Sequence, residues 1–276
     1  MPWKGGFSMK AGVLVLVLIA MLVSVPAFGQ ALSPKKDYDD WNFYIAPYFY
    51  LINMSGTAAT TSPFDEYAEF PVDLATKRIA KNWDYGFAGL IHLKKARWAF
   101  GLDLSFAELS SDQCISVPEY MECEADVKRT VTIGEHELFV GYQFNESMPA
   151  SDMIVGLRYV NHDIKLEPTD GSDELAMTFG ETFYVPFIGI RYYGPLGEDS
   201  KWSPFIRGDI GTATSDLKFN WRVNFGVAWL FADHFDLNLQ YKWKHDNYLE
   251  GNIGESDYYR YVATEHGPML GLGIRF

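Results

Sequence analysis

Residues 219–231 alternate without a break. Phe219, Trp221, Val223, Phe225, Val227, Trp229 and Phe231 fall on one side of an extended chain; Asn220, Arg222, Asn224, Gly226 and Ala228 fall on the other. A helix buries a stripe that recurs every three or four residues, so a strict period of two commits this segment to a β-strand with one apolar and one polar face. The same pattern returns along the chain, at 41–51, 83–93, 98–106, 131–144, 153–165, 182–193, 202–212, 235–244 and 258–276. With 219–231 this makes about ten segments of about ten residues, the length that crosses a bilayer when a strand is tilted. Counts of eight or twelve are also compatible with the pattern.

The connections alternate in length as well. Long ones (53–81, 110–130, 166–181, 248–257) separate short ones (94–97, 145–152, 194–201, 232–234), and only 213–218 is brief for its class. An even number of strands with short turns at one end and long loops at the other is the pattern of a closed, up-and-down antiparallel barrel in a membrane. A soluble β-sandwich also alternates, so the faces decide between them. The polar face carries Asp84, Asp103, Glu135, Glu137, Arg158, Arg191, Arg207, Asp209, Arg222, Asp236, Lys242, Lys244 and Arg275. The apolar face ends in aromatics at two levels: Trp41, Trp98, Phe144, Tyr192, Trp202 and Phe231 near the short turns, and Trp83, Tyr184, Trp243 and Tyr258 near the loops. Two aromatic belts on one face suit a bilayer with two interfaces, and a sandwich core has no need of them. The reading is therefore an all-β transmembrane barrel whose charged residues form a network in the lumen.

The N-terminus supplies a route to that membrane. Residues 11–28 are uncharged and follow Lys4 and Lys10, with small residues at Ala27, Gly29 and Ala31. This describes a cleavable secretory signal over residues 1–31, leaving 32–276 as a single barrel domain. A permanent membrane helix is the rival reading; the stretch is near the lower length limit for spanning. Aromatic residues make up 16% of the chain, while mean hydropathy is only −0.10. That combination fits a barrel, whose polar interior offsets its apolar exterior. The formal charge of −13 argues against nucleic acid as a partner, since phosphate binding needs a basic surface.

The chain closes on Pro268-Met269-Leu270-Gly271-Leu272-Gly273-Ile274-Arg275-Phe276. This resembles the closing strand of bacterial outer-membrane barrels, in which the terminal aromatic strand is the signal read by the barrel-assembly machinery; the resemblance assigns that role to Leu272, Ile274 and Phe276. The opening Trp41-Asn42-Phe43-Tyr44-Ile45-Ala46-Pro47-Tyr48, with Gly56 beyond it, and the closing run from His266 are together similar to a group of uncharacterised Gram-negative outer-membrane β-barrel proteins. That likeness implies the fold, an outer-membrane location, and lipids and lipopolysaccharide as neighbours. It carries no activity with it.

Function is less legible. Ten strands lie near the number whose interior is filled by side chains. With charges inside, the leading expectation is a narrow, porin-like path for small solutes or ions; the alternative is a non-conducting structural or surface-binding barrel. A barrel-embedded protease or lipid A hydrolase is a weaker reading, and no enzyme activity is expected. His162-Asp163 and His245-Asp246 sit at loop ends, but alternation turns only one member of each doublet inward, and Ser105, Ser110 and Ser111 lack an evident base. The six histidines show no ligand spacing, so neither a metal nor a cofactor is expected. Acidic residues at 166–181 and 248–257 could gather divalent cations through their oxygens. Cys114 and Cys123, close together in an exported chain, are most simply a disulfide. The short turn near 215–216 places Asp209 opposite Arg222 as a lumenal ion pair, and Arg158 is expected beside Phe139, diagonal to Glu137.

Overall fold

The computed structural model describes residues 40–61, 68–72, 83–115, 125–144, 151–168, 177–194, 200–213, 218–255 and 257–276. The leader over 1–31, Cys123, and Asp170, Asp173 and Glu174 of the acidic loop lie outside these residues. Within them the elements are β1 (Asn42–Tyr50), β2 (Asn53–Thr60), β3 (Ala68–Pro71), β4 (Trp83–Lys95), β5 (Trp98–Ile115), β6 (Ala125–Gln143), β7 (Ser151–Pro168), β8 (Met177–Phe179), β9 (Thr182–Tyr193), β10 (Trp202–Thr212), β11 (Phe219–Ala232), β12 (Phe235–Glu250) and β13 (Tyr259–Arg275).

Every neighbouring pair is antiparallel, and the order runs β1-β4-β5-β6-β7-β9-β10-β11-β12-β13 before β13 pairs back onto β1. The sheet is therefore a closed ten-stranded barrel, as the alternation predicts. β1 and β2 are one crossing in two pieces. β1 pairs with β13 from Tyr44↔Arg275 to Tyr50↔Met269, and β2 resumes in the same register at Asn53↔His266. β8 likewise continues β9 along β7. The kink between them falls at Gly180, whose φ of 156° and close approach to the His162 backbone leave no room for a Cβ. β3 adds a short piece on the outer edge of β2.

The inside and outside are inverted relative to a soluble protein. On β6, Leu138 is 61% exposed while Glu137 beside it is 1% exposed. Trp98, Phe144, Trp202, Trp229 and Phe231 are all exposed on the outer wall at the short-turn end. Ala96-Arg97 and Asp233-His234 make the tight turns there. Apolar side chains left in contact with their surroundings on every strand need a hydrocarbon solvent, and closing the sheet satisfies the backbone groups that lipid cannot.

Two expectations change in detail. Tyr258 was assigned to the outer aromatic belt; it is 3% exposed and precedes β13, with its carbonyl accepting a hydrogen bond from the Thr60 hydroxyl at 3.0 Å. Its phase belongs to a strand that has not yet begun. β5 and β6 also run well past the expected segments, pairing as far as Ile115↔Ala125. There the outward row includes Glu108 and Ser110 against Thr132, Thr130 and Lys128. A polar outward row erases the lipid-facing pattern, while the backbone ladder continues above the membrane.

Candidate functional site: a filled, charged lumen

The lumen is filled in layers. On β6 the inward residues from the loop end are Glu135, Glu137, Phe139, Gly141 and Gln143; on β7 they are His162, Val160, Arg158, Gly156, Ile154 and Asp152. The middle layer holds the charges. Glu137 meets Arg158 at 3.2 Å, Arg207 at 2.6 Å and Arg222 at 3.1 Å. Asp209 accepts from Arg158 at 2.7 Å and from Arg207 at 2.9 Å. Glu135 pairs with Arg222, with Lys242 at 3.3 Å and with Lys244 at 2.6 Å. Lys244 also reaches Asp246 at 2.9 Å and Glu265 at 3.2 Å. Five cations thus face five carboxylates drawn from six strands. A buried charge without a partner costs several kcal/mol, so such a cluster persists only when it is mutually neutralised.

Small residues on the near wall make space for these long side chains. A Cβ on Gly101 of β5 would stand inside the Phe139 ring, and one on Gly156 would meet Phe187. Those two rings then carry guanidinium groups: Arg207 lies 5.2 Å from the Phe139 centroid and Arg158 lies 5.0 Å from that of Phe187. This accounts for the Gly-x-Arg-aromatic pattern at 156–159, where the glycine leaves room for the Phe187 ring that the arginine two residues on then contacts. In the copy at 189–192, Gly189 lies against Asp209, while Arg191 turns to Asp152 and His92. In the third copy, Gly273 lies against Tyr44 and Asp236, and Arg275 donates to Asp236 at 2.8 Å.

Above the charges sits an aromatic layer. Phe183 stacks on Tyr248 at 4.6 Å, and the His162 ring lies 4.3 Å from that of Tyr261. His162 is bonded to the Tyr259 hydroxyl at 3.3 Å, and Tyr248 donates to Asp246 at 2.9 Å. Below the charges come Phe139, Ile154 and Phe187, and beneath them Arg191 bonds Asp152 at 2.6 Å and His92 at 2.9 Å. On the β1 side the Tyr48 hydroxyl donates to Asp103 at 2.7 Å.

The structure brings together Glu135, Glu137, Arg158, Arg207, Asp209, Arg222, Lys242 and Lys244. It places Asp103 at their edge and puts Arg191 and Arg275 in separate pairs nearer the short-turn end. Asp84 falls at a bulge between Trp83 and Tyr85, and its side chain lies outside the described residues. Cys114 stands opposite Asp126 on the β5–β6 extension. Asp209 is opposite Arg222 in register, as the short turn requires. The expected ion pair between them is nevertheless corrected: Asp209 bonds Arg158 and Arg207, while Arg222 turns to Glu135 and Glu137. In a closed barrel a side chain two or four strands away across the lumen competes on equal terms with the cross-strand neighbour. Arg158 is directly opposite Glu137 rather than Phe139, a shift of two residues that keeps the face.

Asp152, Asp246 and Glu265 are members the sequence reading left out. Each lies in phase with a residue already assigned inward (Arg158, Lys244 and Arg275), so extending the alternation would have found them. His162 and Asp246 face in, while Asp163 and His245 face out, and Ser105 donates to the Glu135 carbonyl at 3.1 Å.

A closed antiparallel wall, an apolar outer band bounded by aromatics and a charged interior define the transmembrane β-barrel class of Gram-negative outer membranes. No protein-family model and no curated protein matches the chain. Among solved structures it is similar in fold to the outer-membrane protease OmpT from Escherichia coli, with a TM-score of 0.50, 10% identity, and 88% of this chain and 100% of that one covered. Weaker likenesses include the translocator domain of the autotransporter NalP from Neisseria meningitidis, with a TM-score of 0.34, 12% identity, and 97% and 96% covered. A Pseudomonas aeruginosa FadL homologue follows with a TM-score of 0.33, 9% identity, and 86% and 90% covered.

Proposed function

We infer that this protein is a non-conducting barrel that anchors surface-exposed β-structure in the outer membrane, the second of the two readings the sequence leaves open. One observation carries it: the mid-lumen layer is packed to exclusion. Arg158, Arg222 and Glu137 are each 1% exposed, with the Phe183–Tyr248–Tyr261 layer above them and Phe139 and Phe187 below. An ion crossing here must displace paired charges and then pass the tightly packed aromatic layer above them and the Phe139–Ile154–Phe187 layer below. What the barrel holds up supports the same reading. The β5–β6 ladder continues beyond the apolar band with polar residues on its outward face, and β7 and β12 extend in the same direction. Such a projecting ladder suits binding at the cell surface.

Single-channel recording of the purified barrel in planar bilayers tests this. The expected result is silence for the wild type over a range of voltages and salts. A reproducible, ion-selective unitary conductance would return the narrow-channel reading to first place. Peptide or lipid A turnover by intact cells that is abolished by His162→Ala would replace both with an enzyme.

A further inference from the structure

Three of the six histidines face away from the lumen, and they share one height. His266 is ten residues from the terminal Phe276, His245 ten from Phe235, and His136 eight from Phe144. About ten residues of tilted strand rise roughly 25 Å, the height of the apolar band. These imidazoles therefore lie at the outer-leaflet interface, where lipid headgroups begin.

Two of them are neighbours with matched settings. Trp243 is opposite His266, and His245 is opposite Thr264, so the two histidines are diagonal across the β12–β13 ladder. Residues so placed are about 7–8 Å apart. The His245 ring stacks on Trp221 at 6.2 Å and 23°, and its Nδ1 is bonded to the Thr264 hydroxyl at 3.0 Å. The His266 ring lies edge to edge with Tyr241, its centroid 6.1 Å away and the planes 22° apart, with its Nδ1 bonded to the Tyr241 hydroxyl at 2.6 Å. With each hydroxyl as the donor to Nδ1, the ring's own proton is on Nε2. Each imidazole is then fixed in orientation by a hydroxyl and offers one N–H donor.

The surrounding charge is unusual for this chain. The formal net charge is −13, yet from this level to the strand ends the outward residues of β11, β12, β13 and β2 include no carboxylate among those described. Arg260 is exposed six residues beyond His266, near the strand ends, with Glu69 of β3 exposed on the same face two strands away. The opposite wall, around His136, is mixed, with Glu108, Asp163 and Glu167 beside Lys128 and Lys165 on its outward face. Two imidazoles with no carboxylate beside them on β11, β12, β13 or β2 at headgroup height are complementary to an anion held there.

We propose that His245 and His266 form a docking site for the phosphate of a phosphorylated glycolipid in the outer leaflet. The acyl chains would run down the apolar wall past Leu239 and Leu270, which are exposed below the two rings. The site is on the exterior, so it stands whether or not the lumen conducts.

The test uses the full barrel in phosphatidylcholine vesicles containing fluorescent bisphosphorylated lipid A or its dephosphorylated form, with binding read by energy transfer from the protein's tryptophans. The wild type should prefer the phosphorylated lipid, and His245→Phe with His266→Phe, which removes both ring N–H donors, should weaken that binding about tenfold, the order expected for losing charge-assisted hydrogen bonds. Binding of the dephosphorylated lipid should not change. His136→Phe, on the opposite wall, should bind as the wild type does. Each single variant gives the same reading at smaller amplitude if the double variant folds poorly. Equal wild-type binding of the two lipids, or variants within twofold of wild type on the phosphorylated one, overturns the proposal.

Discussion

Asp209 offers a direct measurement of which lumenal contacts hold the barrel together. Its carboxylate accepts from Arg158 at 2.7 Å and Arg207 at 2.9 Å, and it is opposite Arg222 in the β10–β11 register without bonding it. Asp209→Ala leaves two guanidinium groups facing Glu137 alone, so the loss should resemble that for breaking a buried pair, about 3–5 kcal/mol. Removing Arg158 as well deletes one of the uncompensated charges. That double variant should recover about 1.5–3 kcal/mol relative to the sum of the singles, the range for a hydrogen bond to a charged group. Asp209→Ala with Arg222→Ala should recover less, because Arg222 is engaged by Glu135 and Glu137 and its removal leaves those carboxylates short of a partner. Urea titration of barrels folded into lipid vesicles, followed by tryptophan fluorescence, gives the free energies for both cycles. Equal recovery in the two cycles would mean that register, not the contacts across the lumen, sets the pairing. A loss below about 0.5 kcal/mol for Asp209→Ala would place it with ordinary surface substitutions and refute the buried-network account altogether.

Glycine packing gives a sharper contrast: Gly101→Val should cost about 1–3 kcal/mol by driving Phe139 off its seat, whereas Gly208→Ala, with no atom within 4 Å of a new Cβ, should be near neutral in the same titration. Cys114 and Cys123 should resist thiol labelling in protein isolated from the envelope under non-reducing conditions, and free thiols there would refute the bond. Replacing both with Ser should leave the barrel intact while releasing a loop constraint of roughly 2–3 kcal/mol in the chain-entropy model. Phe276 donates its N–H to the Phe43 carbonyl at 2.9 Å and sets its ring 5.3 Å from that of Phe43. Deleting it should lower the fraction of heat-modifiable, folded protein in outer-membrane preparations, with Phe276→Trp restoring most of it; unchanged yield would remove Phe276 from any assembly role.

The parts of the barrel that touch lipid were the parts legible in the sequence. Segments such as 219–231 and 202–212 alternate because hydrocarbon lies on one side and charge on the other, and their bounds and faces follow from that. The β5–β6 extension was hidden because its outward row turns polar, at Glu108 and Ser110 against Thr132, Thr130 and Lys128, and loses the apolar face that marks a lipid-facing strand. Lumenal membership was readable as parity, which is why Arg158, Asp209 and Arg222 were placed correctly and why Asp246 and Glu265 could have been. Partner choice was not. Which carboxylate Arg222 reaches depends on barrel diameter, strand stagger and where Gly101 and Gly156 leave space, and none of these is local in the chain.

The seam between β1 and β13 joins the beginning of the barrel to its last residues, with Phe276 bonded to Phe43. Until β13 is made and paired, the opening strand has no partner on that side, and the sheet presents an open edge with a greasy exterior. Closure is then the contact of greatest sequence separation in the molecule, and such contacts form slowly. The chain must therefore cross the periplasm with its edges unpaired, a state prone to edge-to-edge aggregation. The topology thus favours escort of the unclosed chain, and a truncation that removed β13 would leave an unsealed sheet in place of a slightly smaller barrel.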